Sequence, residues 1–356
     1  MPTLDLTAPS IDLTRTICDI PSVSGDERTL ADLIHEAVLA LPHLDVYRDG
    51  DTIVARTNLG RAQRVAIAGH IDTVPINANV PTRDIAIDGE PFIWGRGTVD
   101  MKAGVAVQLK LAHDLTDPRV DLTWMWYDHE EVDADLNGLT RLARTRPDLF
   151  AADFAILGEP SNGTVEGGCN GNLRAIVRTH GVRAHSARAW VGENAIHKIA
   201  PVLARLAEYR PREITVDGLE YREGLNAVRI GGGIAGNVIP DLCEIEVNYR
   251  FAPSRDRDEA ERHLRDVFSG FEVDVVDVAV GARPGLDAPL AQEFLAAVGG
   301  QPRPKYGWTD VARFSAMGVP AVNYGPGDPH LAHHDEERVP LAQIVDVERG
   351  LRAWLT

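Results

Sequence analysis

Leu122-Thr123-Trp124-Met125-Trp126-Tyr127-Asp128-His129-Glu130-Glu131 is an apolar run that ends in two adjacent carboxylates. A short, nearly continuous apolar run reads as a strand buried on both faces. Two acids at its exit repel each other, so stability alone gives no reason for them. A metal ion does, because it can hold one carboxylate as a ligand and leave the other free to carry a proton. Outward from this point, residues 65–69 and 154–157 are similar apolar runs, each with polar residues after it. His70 and Asp72 follow the first, and Glu159 of Gly158-Glu159-Pro160 follows the second. Asp100 ends Gly95-Arg96-Gly97-Thr98-Val99-Asp100, just before 103–115, which reads as a crossover helix. Alternating helix and strand through residues 1–172 is the grammar of an α/β sheet, whose sites lie beyond the carboxyl ends of the strands.

Leu30, Leu33, Ile34, Ala37, Val38 and Leu41 have amphipathic-helix spacing. Ser24-Gly25-Asp26-Glu27 ahead of them fits a capping box, which makes these residues caps and not catalytic groups. The grammar changes over 173–283. Strands at 173–180, 226–231, 243–251 and 272–279, with helices at 195–209 and 256–269, give the order β-α-β-β-α-β of a ferredoxin-like unit. Residues 243–251 alternate apolar with polar, the mark of a half-exposed strand. After Arg283-Pro284-Gly285 the α/β pattern resumes, with a strand at 321–324 before His333. The expected organisation is therefore a catalytic α/β domain, 1–172 with 284–356, interrupted by a small α+β domain at 173–283. A chain of 356 residues suits two domains.

The net charge of −17 argues against a nucleic-acid partner and against an anionic membrane surface. No apolar run reaches 18 residues, so no membrane span is expected. Cys18, Cys169 and Cys243 form no C-x-x-C, which fits neither a disulfide framework nor a thiolate zinc site. They suit a reducing cytoplasm, and Met1-Pro2-Thr3-Leu4-Asp5 lacks the basic start of a signal peptide. A cytoplasmic location is expected.

Taken singly, the polar residues are ambiguous. His70 and Asp72, two apart on an extended segment, point the same way and read either as a structural pair or as a ligand with its orienting acid. Asp100 could cap a helix, Glu159 could be a loop acid and His333 a surface His. Together, His70, Asp100, Glu131, Glu159 and His333 supply two imidazoles and three carboxylates, a set that suits zinc, with cobalt or manganese as alternatives. Two metals sharing Asp100 would activate a water whose proton Glu130 could take. There is no G-x-S-x-G elbow and no H-E-x-x-H helix. Gly231-Gly232-Gly233-Ile234-Ala235-Gly236 formally matches G-x-G-x-x-G, but Asn237-Val238-Ile239-Pro240 follows it, so a dinucleotide site is rejected.

Gly69-His70-Ile71-Asp72-Thr73-Val74-Pro75, Gly95-Arg96-Gly97 through Asp100-Met101-Lys102, Glu130-Glu131, Gly158-Glu159-Pro160 and His333 resemble, in this order, the M20 metallopeptidase family. The resemblance spans nearly the whole chain. It implies a di-zinc aminopeptidase-like α/β catalytic domain with an inserted ferredoxin-like lid or dimerisation domain, and two Zn2+ per subunit with Co2+ as a substitute. By this likeness His70 and Glu159 hold one zinc, Glu131 and His333 the other, and Asp100 bridges. Glu130 matches the general base and Asp72 the acid behind His70. His334 is a rival ligand, but His333, with Glu337 four on and Val339 two further, matches the family's final motif.

His185, in Gly181-Val182-Arg183-Ala184-His185-Ser186-Ala187, matches the His that enters the partner's active site in dimeric members, which implies a homodimer. The resemblance also implies that Arg188, Asn237, Arg250, Thr309, Arg313 and Gly325 bind substrate. Within the family the likeness is greatest to the actinobacterial desuccinylase branch, through Tyr306-Gly307-Trp308-Thr309-Asp310-Val311-Ala312-Arg313-Phe314 and Asn323-Tyr324-Gly325-Pro326-Gly327-Asp328-Pro329. That branch implies an acidic N-acyl amino acid as substrate, N-succinyl-LL-2,6-diaminopimelate, cleaved to succinate and LL-2,6-diaminopimelate for lysine and peptidoglycan synthesis. Cys169-Asn170 stand where the proteobacterial enzymes have a basic pair, and Arg188 where they have Tyr. The rivals are another amidohydrolase of the family, such as a deacetylase of acetylornithine or an aminoacylase, and a non-catalytic metal-binding regulator. A free Glu130 beside Glu131 counts against the regulator.

Overall fold

A computed structural model describes residues 3–356, which separate into two compact units. The first comprises the chain up to Gly167 with Pro284–Arg303 and Thr309–Thr356; the second comprises Gly168–Arg283 with Pro304–Trp308. The second unit thus starts a few residues before the expected 173 and takes in a short stretch expected in the catalytic domain. Backbone hydrogen bonding explains both differences. Cys169 and Ala282 exchange N–H···O bonds of 3.0 and 3.1 Å, the Asn170 N–H donates to the Lys305 carbonyl, and the Trp308 indole donates to the Val280 carbonyl.

The first unit is built on a sheet in the order Asp45–Asp49, Thr52–Arg56, Asp121–Tyr127, Arg64–His70, Phe154–Leu157, Ala321–Asn323, Glu166–Gly167 and Arg303–Pro304. The inner four strands run parallel. Asp121–Tyr127 is buried along its whole length, as its unbroken apolar sequence requires. Helix Lys102–Asp114 carries apolar residues round most of its circumference and is buried almost throughout. The parallel register sets His70 beside Tyr127, so consecutive strands release their chains at one edge. A separate three-stranded sheet joins Arg83–Ile87, Glu90–Trp94 and Arg338–Pro340.

Helix Arg28–Leu39 buries Leu30, Ala31, Leu33, Ile34 and Val38, but no side chain caps its first turn. The expected capping box is therefore absent. Ser24 and Glu27 are engaged elsewhere, as described below.

In the second unit, Gly224–Gly232, Leu242–Phe251, Gly171–His180 and Glu272–Ala279 form an antiparallel sheet in that order, the ferredoxin-like arrangement. One face packs Ala175, Val177, Ile245, Val247 and Tyr249 with Val202, Ala260 and Leu264 of its helices. The single helix expected at 195–209 is two, Ala195–Lys198 and Ala200–Glu208, with Pro201 in the first turn of the second. Proline has no N–H for a continuing helix but suits a new first turn. A hairpin, Glu213–Val216 with Leu219–Arg222, was not foreseen; Asp217 and Gly218 turn it with φ of 48° and 85°, as a type I′ turn demands.

Candidate metal centre

Every residue of the proposed centre leaves the same edge of the parallel sheet or lies on a segment folded against it. His70 ends its strand with a buried ring. Its Nδ1 lies 3.0 Å from the Asp72 carbonyl oxygen and 3.4 Å from Asp72 Oδ1. A carbonyl can only accept, so in the neutral ring the proton sits on Nδ1 and the Nε2 lone pair is free to ligate. Nε2 faces Asp100 Oδ1 at 3.1 Å. Burial opposes a charge on this ring, yet the hydrogen bonds to Asp100 and Asp72 prevail and hold its pKa well above the usual imidazole value.

Asp72 is fully buried and organises the two glutamates as well as His70. Its Oδ1 accepts the Glu130 N–H at 3.0 Å, and its Oδ2 accepts the Glu131 N–H at 3.1 Å. The Ser24 hydroxyl donates to the same Oδ2 at 2.7 Å. Ser24 was expected to be a helix cap; it instead supports the carboxylate behind His70. Glu27, also expected in the cap, is buried and accepts the N–H groups of Gly25 and His129. On the other side of the turn, Arg141 clamps Asp128 with bonds of 3.0 and 2.8 Å. The Glu130-Glu131 turn is thus fixed on both flanks.

Glu131 Oε1 lies 2.9 Å from His333 Nε2, and Asp100 Oδ2 lies 3.4 Å from that same nitrogen. His333 has a φ of 63°, a left-handed conformation that costs energy for a non-glycine residue. Its hydrogen bonds to Asp100 and Glu131 raise its pKa to about 10. Burial would raise the pKa of Asp100, but the bonds to His333 and His70 outweigh it and hold the carboxyl below its usual range. His334 is turned to its own loop, where Nδ1 accepts the Glu336 N–H at 3.1 Å.

Glu130 is placed differently. Burial, reinforced by Asp310, Glu159 and Glu131 against the opposing pull of His70, pushes its carboxyl pKa well above normal. Glu159 is buried at the exit of Phe154–Leu157. The carbonyl of Gly158 before it is so closely packed that a Cβ on either Gly104 or Gly325 would come within 2.2 Å of it. Gly325, expected to touch substrate, packs its backbone against the Glu159 segment.

Thr309, also expected at the substrate, is buried and donates its hydroxyl to Asn323 Oδ1 at 2.9 Å. Arg313, expected to bind substrate, donates its Nε to the fully buried Asp310. A buried aspartate needs such a countercharge. Asp310 also accepts from Asn137 Nδ2 at 3.1 Å. Asp310 and Ser24 were missed as site residues; neither carries a spacing signal of its own.

The remaining expected residues lie in the second unit. Ala184–His185 pairs with Val238–Ile239, which brings His185 and Asn237 to neighbouring positions; the Ser186 N–H donates to the Asn237 carbonyl at 2.9 Å. His185 is exposed, and its Nδ1 accepts the Ala187 N–H at 3.0 Å. That bond puts the proton of the neutral ring on the outward Nε2. Arg188 is exposed in the short 3₁₀ turn that follows. Arg250 lies on the open face of the sheet. Elsewhere on that face Arg178 pairs with Glu244, Glu272 and Asp274, and Arg174 with Glu246 and Asp277. Arg250 has no acidic partner among the described residues, and burial lowers its pKa.

The chain matches the model of peptidase family M20/M25/M40 over residues 66–356. The succinyl-diaminopimelate desuccinylase of Corynebacterium glutamicum is 48% identical over 366 aligned positions, covering 100% of this chain and 98% of that protein. A Mycobacterium tuberculosis protein that bears the desuccinylase name provisionally is 50% identical over 99% of both chains. Among solved structures, a dinuclear metal binding peptidase from the M20 family of Bacillus subtilis has a TM-score of 0.70 at 16% identity, covering 97% of this chain and 96% of that one. That last likeness concerns the fold.

Proposed function

This chain belongs to the M20/M25/M40 peptidase family, and from that premise we propose that it hydrolyses the amide of N-succinyl-LL-2,6-diaminopimelate to succinate and LL-2,6-diaminopimelate. The observation that carries this reading is the meeting of His70, Asp100, Glu131 and His333 beside a half-buried Glu130, in a chain about half identical to named desuccinylases along its whole length.

The donor set fits a metal pair. Tetrahedral zinc with bonds of ~2.0–2.2 Å sets neighbouring donors roughly 3.4 Å apart. The separations here, 3.1 Å for His70–Asp100, 2.9 Å for His333–Glu131 and 3.4 Å for His333–Asp100, are of that order. Three carboxylates around two imidazoles call for a positive countercharge. The assignment is two zinc ions, one held by His70 and Glu159, the other by Glu131 and His333, with Asp100 shared. When bound, the ions polarise the amide carbonyl and acidify water.

Everything else is chemistry of the chain. Asp72 keeps the Nδ1 proton of His70 in place and fixes the backbone of Glu130 and Glu131. Glu130, beside the ligands and left without a metal role, takes a proton from the attacking water and returns it to the departing amine nitrogen. Arg250, half-buried and without an acidic partner, holds a substrate carboxylate in its fork. His185, with Nε2–H directed outward, donates to the oxyanion as the partner's residue in a homodimer. Asn237 and Arg188, close to it in sequence or strand pairing, add polar contacts to the substrate.

Three free, buried cysteines suit the reducing cytoplasm where this reaction is assigned. Among the described residues no helix is long and apolar enough to cross a membrane.

The test is a side-by-side assay of zinc-loaded protein on succinyl-diaminopimelate and acetylornithine. The desuccinylase reading expects kcat/KM at least a hundredfold higher for the first, because acetylornithine lacks two of its carboxylates and each charge-assisted hydrogen bond left unmade in a desolvated pocket costs ~1.5–3 kcal/mol. Equal values would favour a general deacylase.

A further inference from the structure

Asp100 and His333 lie far apart in sequence, and neither sits on a strand of the large sheet. One buried ion pair joins their segments. Glu337 is 1% exposed and Arg96 3% exposed, and Arg96 Nη1 donates to Glu337 Oε2 at 2.9 Å. Glu337 Oε1 accepts two backbone N–H groups, from Val99 at 2.8 Å and from Asp100 itself at 3.1 Å. Arg96 Nη1 also reaches the carbonyl of His334, the residue after His333, at 3.3 Å. The Glu337 N–H donates to that same carbonyl, and the Gly95 N–H donates to the Glu337 carbonyl. The pair therefore grips the main chain at both ligands while touching neither ligand side chain.

Fold stability alone is a poor reason for this arrangement. Desolvation of two charges cancels much of their attraction, and an apolar pair of equal volume often serves stability as well. Apolar side chains, however, cannot direct hydrogen bonds onto the N–H of one ligand and the carbonyl beside the other. His70 and Glu159 are held by other means, the Asp72 carbonyl with its carboxylate and the packing of Gly104 and Gly325 about Gly158.

We propose that Arg96 and Glu337 are positioning residues that set Asp100 and His333 at ligand distance, so that their loss weakens chiefly the ion held by Glu131 and His333. This rests on the two-ion reading above. The experiment compares wild type, Glu337→Gln and Arg96→Lys by zinc content after dialysis against graded chelator, with thermal unfolding of each stripped protein alongside.

Wild type should retain two ions per chain. Both variants should release the ion held by Glu131 and His333 at chelator activities corresponding to ~10–100-fold weaker binding, and the other ion, which shares only Asp100 with it, should be weakened by clearly less. Lysine keeps the charge of Arg96 but cannot copy its fork, so Arg96→Lys carries the test if Glu337→Gln fails to fold. Two ions held with wild-type affinity in a folded variant would overturn the proposal, as would equal weakening of both ions, the signature of a general structural role. A wild type that holds one ion would overturn the two-ion reading itself.

Discussion

Glu130 and Glu131 are neighbours with opposite tasks, and their surroundings separate them. Glu131 faces His333, whereas Glu130 lies in a half-buried, acid-rich setting that raises its proton affinity. Glu130→Ala should keep its zinc content and fold while losing turnover by ~10²–10⁴, the usual yield of a general base. Elemental analysis showing an ion lost would mean that the two glutamates have exchanged roles. His333 gives a second expectation, read in the chelator-stripped protein. Its pKa is raised in the folded state, to about 10 from 6.5, so its contribution to stability is full below the lower value and disappears as pH rises through the higher one. Thermal unfolding of stripped protein should therefore fall between about pH 7 and 10, with no such fall in zinc-loaded protein, where the ring is neutral throughout. A flat profile for the stripped protein would contradict the pairing with Asp100 and Glu131.

At the scale of elements, the strands act as rails and the glycines as stops. Gly325→Ala would drive a Cβ to 2.2 Å from the Gly158 carbonyl and 2.6 Å from that of Glu159, and backbone cannot yield as a side chain can. The expected cost is about 1–3 kcal/mol of stability together with weaker retention of the ion assigned to His70 and Glu159. Denaturant unfolding and chelator competition check the two parts, and a variant matching wild type in both would remove Gly325 from this role. Much of this scale was legible beforehand. Apolar runs at 65–69, 122–127 and 154–157 announce parallel strands because no other element buries such short runs on both faces. The ferredoxin-like order was visible because Leu242–Phe251 and Glu272–Ala279 alternate as half-exposed strands do. Ser24 was misread because a hydroxyl ahead of an amphipathic stretch looks the same whether it caps a helix or supports a carboxylate 48 residues away. Arg96, Glu337 and Asp310 act through distant partners, and no local spacing encodes that. Arg313 has its countercharge, Asp310, folded inward three residues earlier.

For the whole molecule, the assigned catalytic centre lies in one unit and the assigned oxyanion donor in the other. If His185 serves the partner's centre, mixing inactive His185→Ala with inactive Glu130→Ala subunits should restore part of the activity, because one of the two composite sites is intact in each heterodimer. Heterodimers verified by mass and still dead would exclude service in trans. The interrupted layout also has a consequence for synthesis. The first unit is completed by strand Ala321–Asn323, which sits between Phe154–Leu157 and Glu166–Gly167, and by the turn that bears His333. A ribosome delivers these only after Gly168–Arg283, and domains tend to fold in the order in which they emerge. The inserted unit can mature while the surrounding one still lacks a strand of its sheet. Nascent chains halted before residue 321 should then show protease resistance over 168–283 and no zinc retention, so the hydrolytic centre comes into being as a late act of translation.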